Sequence, residues 1–159
     1  MSQKSLVAEF HSDHQKVVQA LMGLREAIRT RQPARVRATL DQANELVGPH
    51  FKFEELYLYQ SLKEFIGEVG LHRLLLEHDG VFRGVMGLVN LAAKEAWNET
   101  DAKSAEAYLE LIWEHPITCD GLSLYIERLP NQTQTKLLRH MQHLRREGTT
   151  LLKYRKQRS

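Results

Sequence analysis

The sequence predicts an all-α protein: an up-down antiparallel four-helix bundle followed by a fifth amphipathic helix. Apolar residues recur at three- and four-residue spacing nearly from end to end. No stretch alternates polar and apolar as a half-buried strand would. Glycines, prolines and short polar clusters divide the pattern into four long segments and a terminal one, and short connections make consecutive helices antiparallel neighbours.

The elements follow in order. Leu6, Phe10, His14, Val17, Val18, Leu21 and Leu24 share one face of a first helix over about 4–31. Pro33 suits the first turn of a second helix, where its missing N–H costs nothing. That helix runs over 34–47, breaks or kinks at Gly48-Pro49, and resumes to about Lys63. "GEVG" at 67–70 is a turn, and a third helix covers about 71–97. Its glycines 80, 84 and 87 cost helix propensity and so mark close helix packing. Thr100 or Asp101 caps a fourth helix over about 102–128. Pro130 ends it, and a fifth helix spans about 132–156.

With 159 residues the chain suits one core. It contains no apolar run long enough to cross a bilayer and no signal-peptide pattern at "MSQKSLVAEFHSDH". The lone Cys119 excludes an internal disulfide. A cytoplasmic protein is expected. Charge divides the chain: residues 131–159 hold eight Lys/Arg and one acid, whereas the rest is mildly acidic. The expected organisation is therefore a bundle over 1–130 and a basic helical extension over 131–159.

Function turns on the histidines. His14, His50, His78 and His115 lie one on each of the four bundle helices, and inward-facing residues at one level are how bundle metal sites are built. His50 and Glu54 are one turn apart and share a face, about 40° from each other. His115 and Asp120 are five apart, about 140° on a regular helix. Their convergence requires a local widening, and Pro116 makes a kink or π-bulge there a reasonable expectation. Each histidine alone reads first as a hydrogen-bonded core or boundary residue, and only the set of four points to a metal.

The set "HSDHQKV", "HFKFEE", "LEHDGVF" and "WEHPITCD" resembles the hemerythrin and HHE cation-binding family, over residues about 8–128. The resemblance implies a non-heme centre of two iron ions, ferrous or ferric, with carboxylate and oxo or hydroxo bridges. It implies His14, His50, Glu54, His78, His115 and Asp120 as ligands, with Glu54 and Asp120 bridging. The family places a further histidine at the position of Leu74. His72 sits about 200° from that position on a helix and faces elsewhere. The vacancy falls to water or an exogenous ligand, to His11 or Tyr57, or leaves one metal weakly held. Cys119 takes the place of an acid found in many relatives. It reads first as a small buried apolar residue, with a metal-bound thiolate as the alternative.

Trp113, Tyr57 and Tyr59 are expected to pack in the core, with ligand gating or a hydrogen bond to the site as the alternatives. His140 and His143 are expected at the surface. The stripe Leu137, Leu138, Met141, Leu144, Leu151 and Leu152 either covers the bundle or pairs with another copy. The basic tail reads first as a solvated helix end, with an acidic partner as the alternative and no convincing nucleic-acid or membrane signal. The resemblance implies binding of O2 or NO for sensing, storage or transport. The same atoms also suit an enzyme acting on peroxide or NO, or an iron donor for cluster repair. A third class is a metal-independent helical interaction module.

Overall fold

The computed structural model describes residues 4–158, and among these the regular structure is entirely helical. Helix α1, Leu6–Arg29, starts where the Ser5 hydroxyl accepts the Ala8 N–H. It buries Leu6, Phe10, His14, Leu21 and Leu24, the face predicted from their spacing. Helix α2, Pro33–Phe53, begins on its proline. It passes into a π-turn over Glu54–Leu58 and a last turn α3, Tyr59–Ser61.

The break expected at Gly48-Pro49 does not occur, because α2 runs through both residues. Gly48 is instead a point of close approach. A Cβ there would lie 2.1 Å from the Thr149 carbonyl oxygen, so only glycine lets the 148–150 connection against the helix.

Helix α4, Lys63–Ala92, is kinked at Gly67, whose φ of 68° admits little but glycine. The turn predicted at 67–70 is therefore this kink, and the helix ends at Ala92 rather than near 97. In α4, a Cβ at Gly84 would come 2.6 Å from the Tyr108 carbonyl oxygen, so that glycine marks close packing against α5.

Helix α5, Glu99–Trp113, is capped by Asn98 in a reciprocal box with Asp101. The cap thus precedes Thr100 because Asn98 and Asp101 satisfy each other's backbone donors. The segment predicted as one fourth helix is divided into α5, α6 (His115–Asp120) and α7 (Ser123–Ile126). Pro116 removes a donor at the first division. The terminal helix is also two: α8, Asn131–Glu147, stops at the left-handed Gly148, and α9, Leu151–Gln157, restarts on the Thr150 cap.

Helix α1 packs on α2 and α5, and α4 packs on the same two, so the long helices close a ring. α8 and α9 lie along α2. Leu137, Met141, Leu144 and Leu151 are buried in the chain's own core. The core has two apolar clusters. One holds Leu21, Leu24, Val47, Phe51, Val81 and Ile112. The other holds Phe10, Phe53, Leu58, Tyr59, Leu74 and Cys119. Along each helix the four central histidines fall between members of the two clusters, so they form a polar layer within the core.

Candidate metal centre

Glu54 is fully buried and lies at the middle of that layer. Its two carboxylate oxygens serve two similar halves. On one side, His50 Nε2 lies 2.9 Å and His14 Nε2 3.7 Å from Oε1. The two nitrogens are 3.1 Å apart. On the other side, His78 Nε2 lies 3.0 Å and His115 Nε2 3.9 Å from Oε2. Those nitrogens are 3.0 Å apart. Two donors bonded at about 2.1 Å and at right angles on one ion are separated by about 3.0 Å. Paired imidazole nitrogens at that spacing are within hydrogen-bond reach of each other and also match the separation that one shared cation would give.

The outward nitrogens are equally ordered. His14 Nδ1 meets Asp120, His50 Nδ1 meets Asp13, His78 Nδ1 meets Glu55, and His115 Nδ1 meets Glu77, at 2.7–3.0 Å. The pairs close a ring in chain order. α1 lends Asp13 to His50 of α2, and the π-turn after α2 lends Glu55 to His78 of α4. α4 lends Glu77 to His115, and α6 lends Asp120 back to His14 of α1. A carboxylate on Nδ1 fixes the tautomer that leaves Nε2 free to ligate, the usual arrangement around metal-bound histidine.

Two members of the ring are pinned by the C-terminal helices. Arg145 of α8 donates to Asp13 at 2.9 Å. Arg158, just after α9, donates to Glu55 at 2.9 Å, and the Tyr154 hydroxyl donates to it at 2.6 Å.

The structure thus gathers the four histidines around Glu54 rather than leaving them scattered along the bundle. Comparison with protein families agrees: the model of the hemerythrin HHE cation binding domain matches residues 5–115. The chain belongs to that family. No curated protein and no solved structure gave a match. The hemerythrin HHE domain binds metal cations, and this chain carries two buried groups that could hold one, His14–Glu54–Cys119 and Glu54–His78–His115.

The hemerythrin-like chain places the sequence-derived candidates unevenly. His14, His50, Glu54, His78 and His115 converge. Asp120, expected as a second bridge, instead contacts Nδ1 of His14 and, at 2.9 Å, Nδ1 of His11. The reason is local: α6 is a regular helix, so Cys119, four residues after His115, takes the inward face and Asp120 does not. The Cys119 Sγ is fully buried, 2.7 Å from Glu54 Oε1. His11 is exposed at the outer edge.

Of the kink or π-bulge expected near 115, the structure has an interruption of the helix at Glu114, and a π-turn lies instead at Glu54–Leu58. Its i→i+5 bond runs from the Tyr59 N–H to the Glu54 carbonyl and returns Tyr59, not Tyr57, to the face of Glu54. Tyr59, expected as core packing, has its hydroxyl 3.0 Å from His78 Nε2 and 3.7 Å from Cys119 Sγ. Tyr57 stacks on His140 with ring centroids 3.9 Å apart. His72 and His143 are exposed.

Asp13 and Glu55 escaped the sequence reading, and Glu77, noticed beside His78, points about 100° away from it on the helix and serves His115 instead. Each is adjacent in sequence to a residue of the centre ("DH", "EE", "EH"), which is the signal that could have found them.

Electrostatics follow from this packing. Burial opposes charge on His50, but Glu54 and Asp13 outweigh it and raise its pKa to about 10. Burial likewise opposes charge on Glu54, yet the imidazole of His50 beside it, with those of His115 and His14 slightly farther off, holds it well below the usual carboxylate range. Burial beside Glu54 pushes both the Tyr59 hydroxyl and the Cys119 thiol up. The metal-free centre thus holds protons that a cation would displace.

Proposed function

We propose that this chain is a non-heme di-iron protein that binds a small diatomic ligand, O2 or NO, for sensing, storage or transport. We read α1, α2, α4 and the α5–α7 segment as an up-down four-helix bundle over residues 1–130, with 131–159 as the extension that closes one side. The observation that carries the reading is the closed ring. Four imidazoles turn Nε2 toward the two oxygens of Glu54 and hand Nδ1 to four carboxylates. In a bundle core such an arrangement is costly unless a cation joins it.

Histidine and carboxylate donors suit iron in both the ferrous and ferric states. When bound, two irons supply the electrons for reversible capture of a diatomic molecule. The chain's own part is to fix the donors and keep the space dry. His14 and His50 would hold one position and His78 and His115 the other, with Glu54 lying between them. Phe51 stacks on His78 at 3.7 Å between ring centroids and shields that face from water. An apolar cavity of about 50 Å³ opens beside His14, His50 and His115 and continues past Leu21, Leu24 and Val85. Its lining suits an uncharged diatomic molecule better than an ionic substrate.

No helix among the described residues is long and apolar enough to cross a membrane. We place the protein in the cytoplasm, where its free cysteine stays reduced.

The test is metal content together with optical spectra of the anaerobic ferrous protein, before and after O2 and, separately, NO. The reading expects about two irons per chain and new bands with at least one gas. Iron at that level with steady turnover of peroxide or NO would instead favour the enzymatic alternative. Absence of iron, with thermal stability unchanged by anaerobic Fe²⁺, would favour a metal-independent interaction module.

A further inference from the structure

The two halves of the centre each have one more heteroatom than the ring accounts for. We propose that Cys119 and Tyr59 are metal donors, one for each half: the Cys119 sulfur beside His14 and His50, the Tyr59 oxygen beside His78 and His115. The proposal rests on the metal-binding reading above and deepens it, because it makes the two positions chemically different.

Three observations carry it. The first is placement. Both side chains are fully buried, in the apolar cluster that includes Phe53, Leu58 and Leu74. A polar group there needs a partner. Their side-chain partners among the described residues are the centre and each other. Cys119 donates to Glu54 Oε1 at 2.7 Å, Tyr59 meets His78 Nε2 at 3.0 Å, and the two lie 3.7 Å apart.

The second is symmetry. About Glu54, His50 corresponds to His78 and His14 to His115, with nearly equal distances to the nearer carboxylate oxygen. Cys119 and Tyr59 complete this correspondence. Each half then offers two imidazoles, one carboxylate oxygen and one further donor.

The third is the backbone. A regular continuation of α2 would not return Tyr59 to the face of Glu54, but the π-turn over Glu54–Leu58 does. Leu74 is buried nearby in the same cluster and carries no donor atom. The Tyr59 oxygen lies 3.0 Å from His78 Nε2 and supplies a heteroatom on that side of the centre.

The chemistry balances simply. Forming the metal–sulfur bond breaks the S–H bond, and forming the metal–oxygen bond breaks the O–H bond. One proton leaves to solvent for each, and no electron is transferred. A thiolate is the softer donor and a phenolate the harder one, so the two positions should differ in their preferred oxidation state.

The test uses the full chain loaded with Fe³⁺ and, separately, with Co²⁺, and reads bound metal alongside absorption. The wild type should show a visible phenolate-to-ferric band and, with cobalt, a near-ultraviolet thiolate-to-cobalt band. Tyr59→Phe should abolish the first and keep the second. Cys119→Ala should do the reverse. Both should retain at least about half of the wild-type metal, since the imidazoles and Glu54 remain. Should either variant fold poorly, Tyr59→His and Cys119→Asp keep a donor in place; each should bind metal at the wild-type level and lose its respective band. Fully loaded wild type lacking both bands, or variants whose bands are unchanged, would overturn the assignment while leaving the metal centre standing. A wild type that takes up neither metal would remove the centre and this proposal together.

Discussion

The half of the centre built by His14 and His50 and the half built by His78 and His115 are alike in most respects. Each has an imidazole close to a Glu54 oxygen and one farther from it. Each has one deeply buried outer carboxylate, Asp13 or Glu55, with side chains 5% and 8% exposed and held by an arginine from the C-terminal extension. Each also has a more exposed carboxylate, Asp120 or Glu77, with side chains 30% and 25% exposed. The halves differ in what stands beside them inside the core: a thiol in one, a phenol in the other. Similar outer support surrounds unlike inner atoms, so on the proposed assignment the ring would set position, and Cys119 and Tyr59 would set chemical character.

The comparison can be broken most severely at the atom pair the halves share. Glu54→Gln removes the charge common to both, and metal affinity should fall by more than about 100-fold at both positions. A chelator-competition titration would measure this; loss confined to one position would show that Glu54 does not span them. Next come the outer carboxylates. Asp13→Asn and Glu55→Gln should each weaken their own half by about 10–100-fold. Asp120→Asn and Glu77→Gln should cost less than about tenfold, because water reaches those sites and can stand in. Equal losses across all four would contradict the inner–outer distinction.

Acidity offers a gentler probe, on the metal-free protein. His50 has its folded pKa raised to about 10 by Glu54 and Asp13 against the opposing effect of burial. Its contribution to stability is complete below the ordinary histidine value of about 6.5 and disappears as pH rises toward 10. Glu54 has its folded pKa lowered, so its contribution is present above about 4.5 and disappears as the solution is made more acidic. Thermal melts of the metal-free protein should therefore decline from near neutrality toward pH 10, and Asp13→Asn should flatten that decline. A melting temperature constant over that range would count against the His50 pairing. The smallest effect belongs to His11→Ala at the exposed edge, where metal affinity should stay within about twofold of wild type.

Much of the fold was legible because helical spacing is a local signal. The buried face of α1 and the positions of His14, His50, His78 and His115 on separate helices could be read directly. Gly48 misled the reading, since a glycine that admits a distant backbone looks the same in sequence as one that ends a helix. A kink or π-bulge was expected at Pro116, where a missing donor gave a local reason for it, and the helix is interrupted there between Trp113 and His115. The π-turn itself lies at Glu54–Leu58, in a stretch with no proline or glycine to mark it. That turn moved Tyr57 out of the centre and Tyr59 into it, and the regular α6 put Cys119 where Asp120 had been expected. The ring of outer carboxylates was written in the sequence as acids next to residues of the centre. Each serves a histidine on another helix, a relation that only the packed structure supplies.

The most direct measurement is an anaerobic titration of the full chain with Fe²⁺, with bound iron counted and spectra taken before and after exposure to O2 or NO. About two irons per chain, with new absorption on adding gas, is the predicted result. Fewer than about one iron per chain, with no new band, would contradict the dinuclear centre around Glu54.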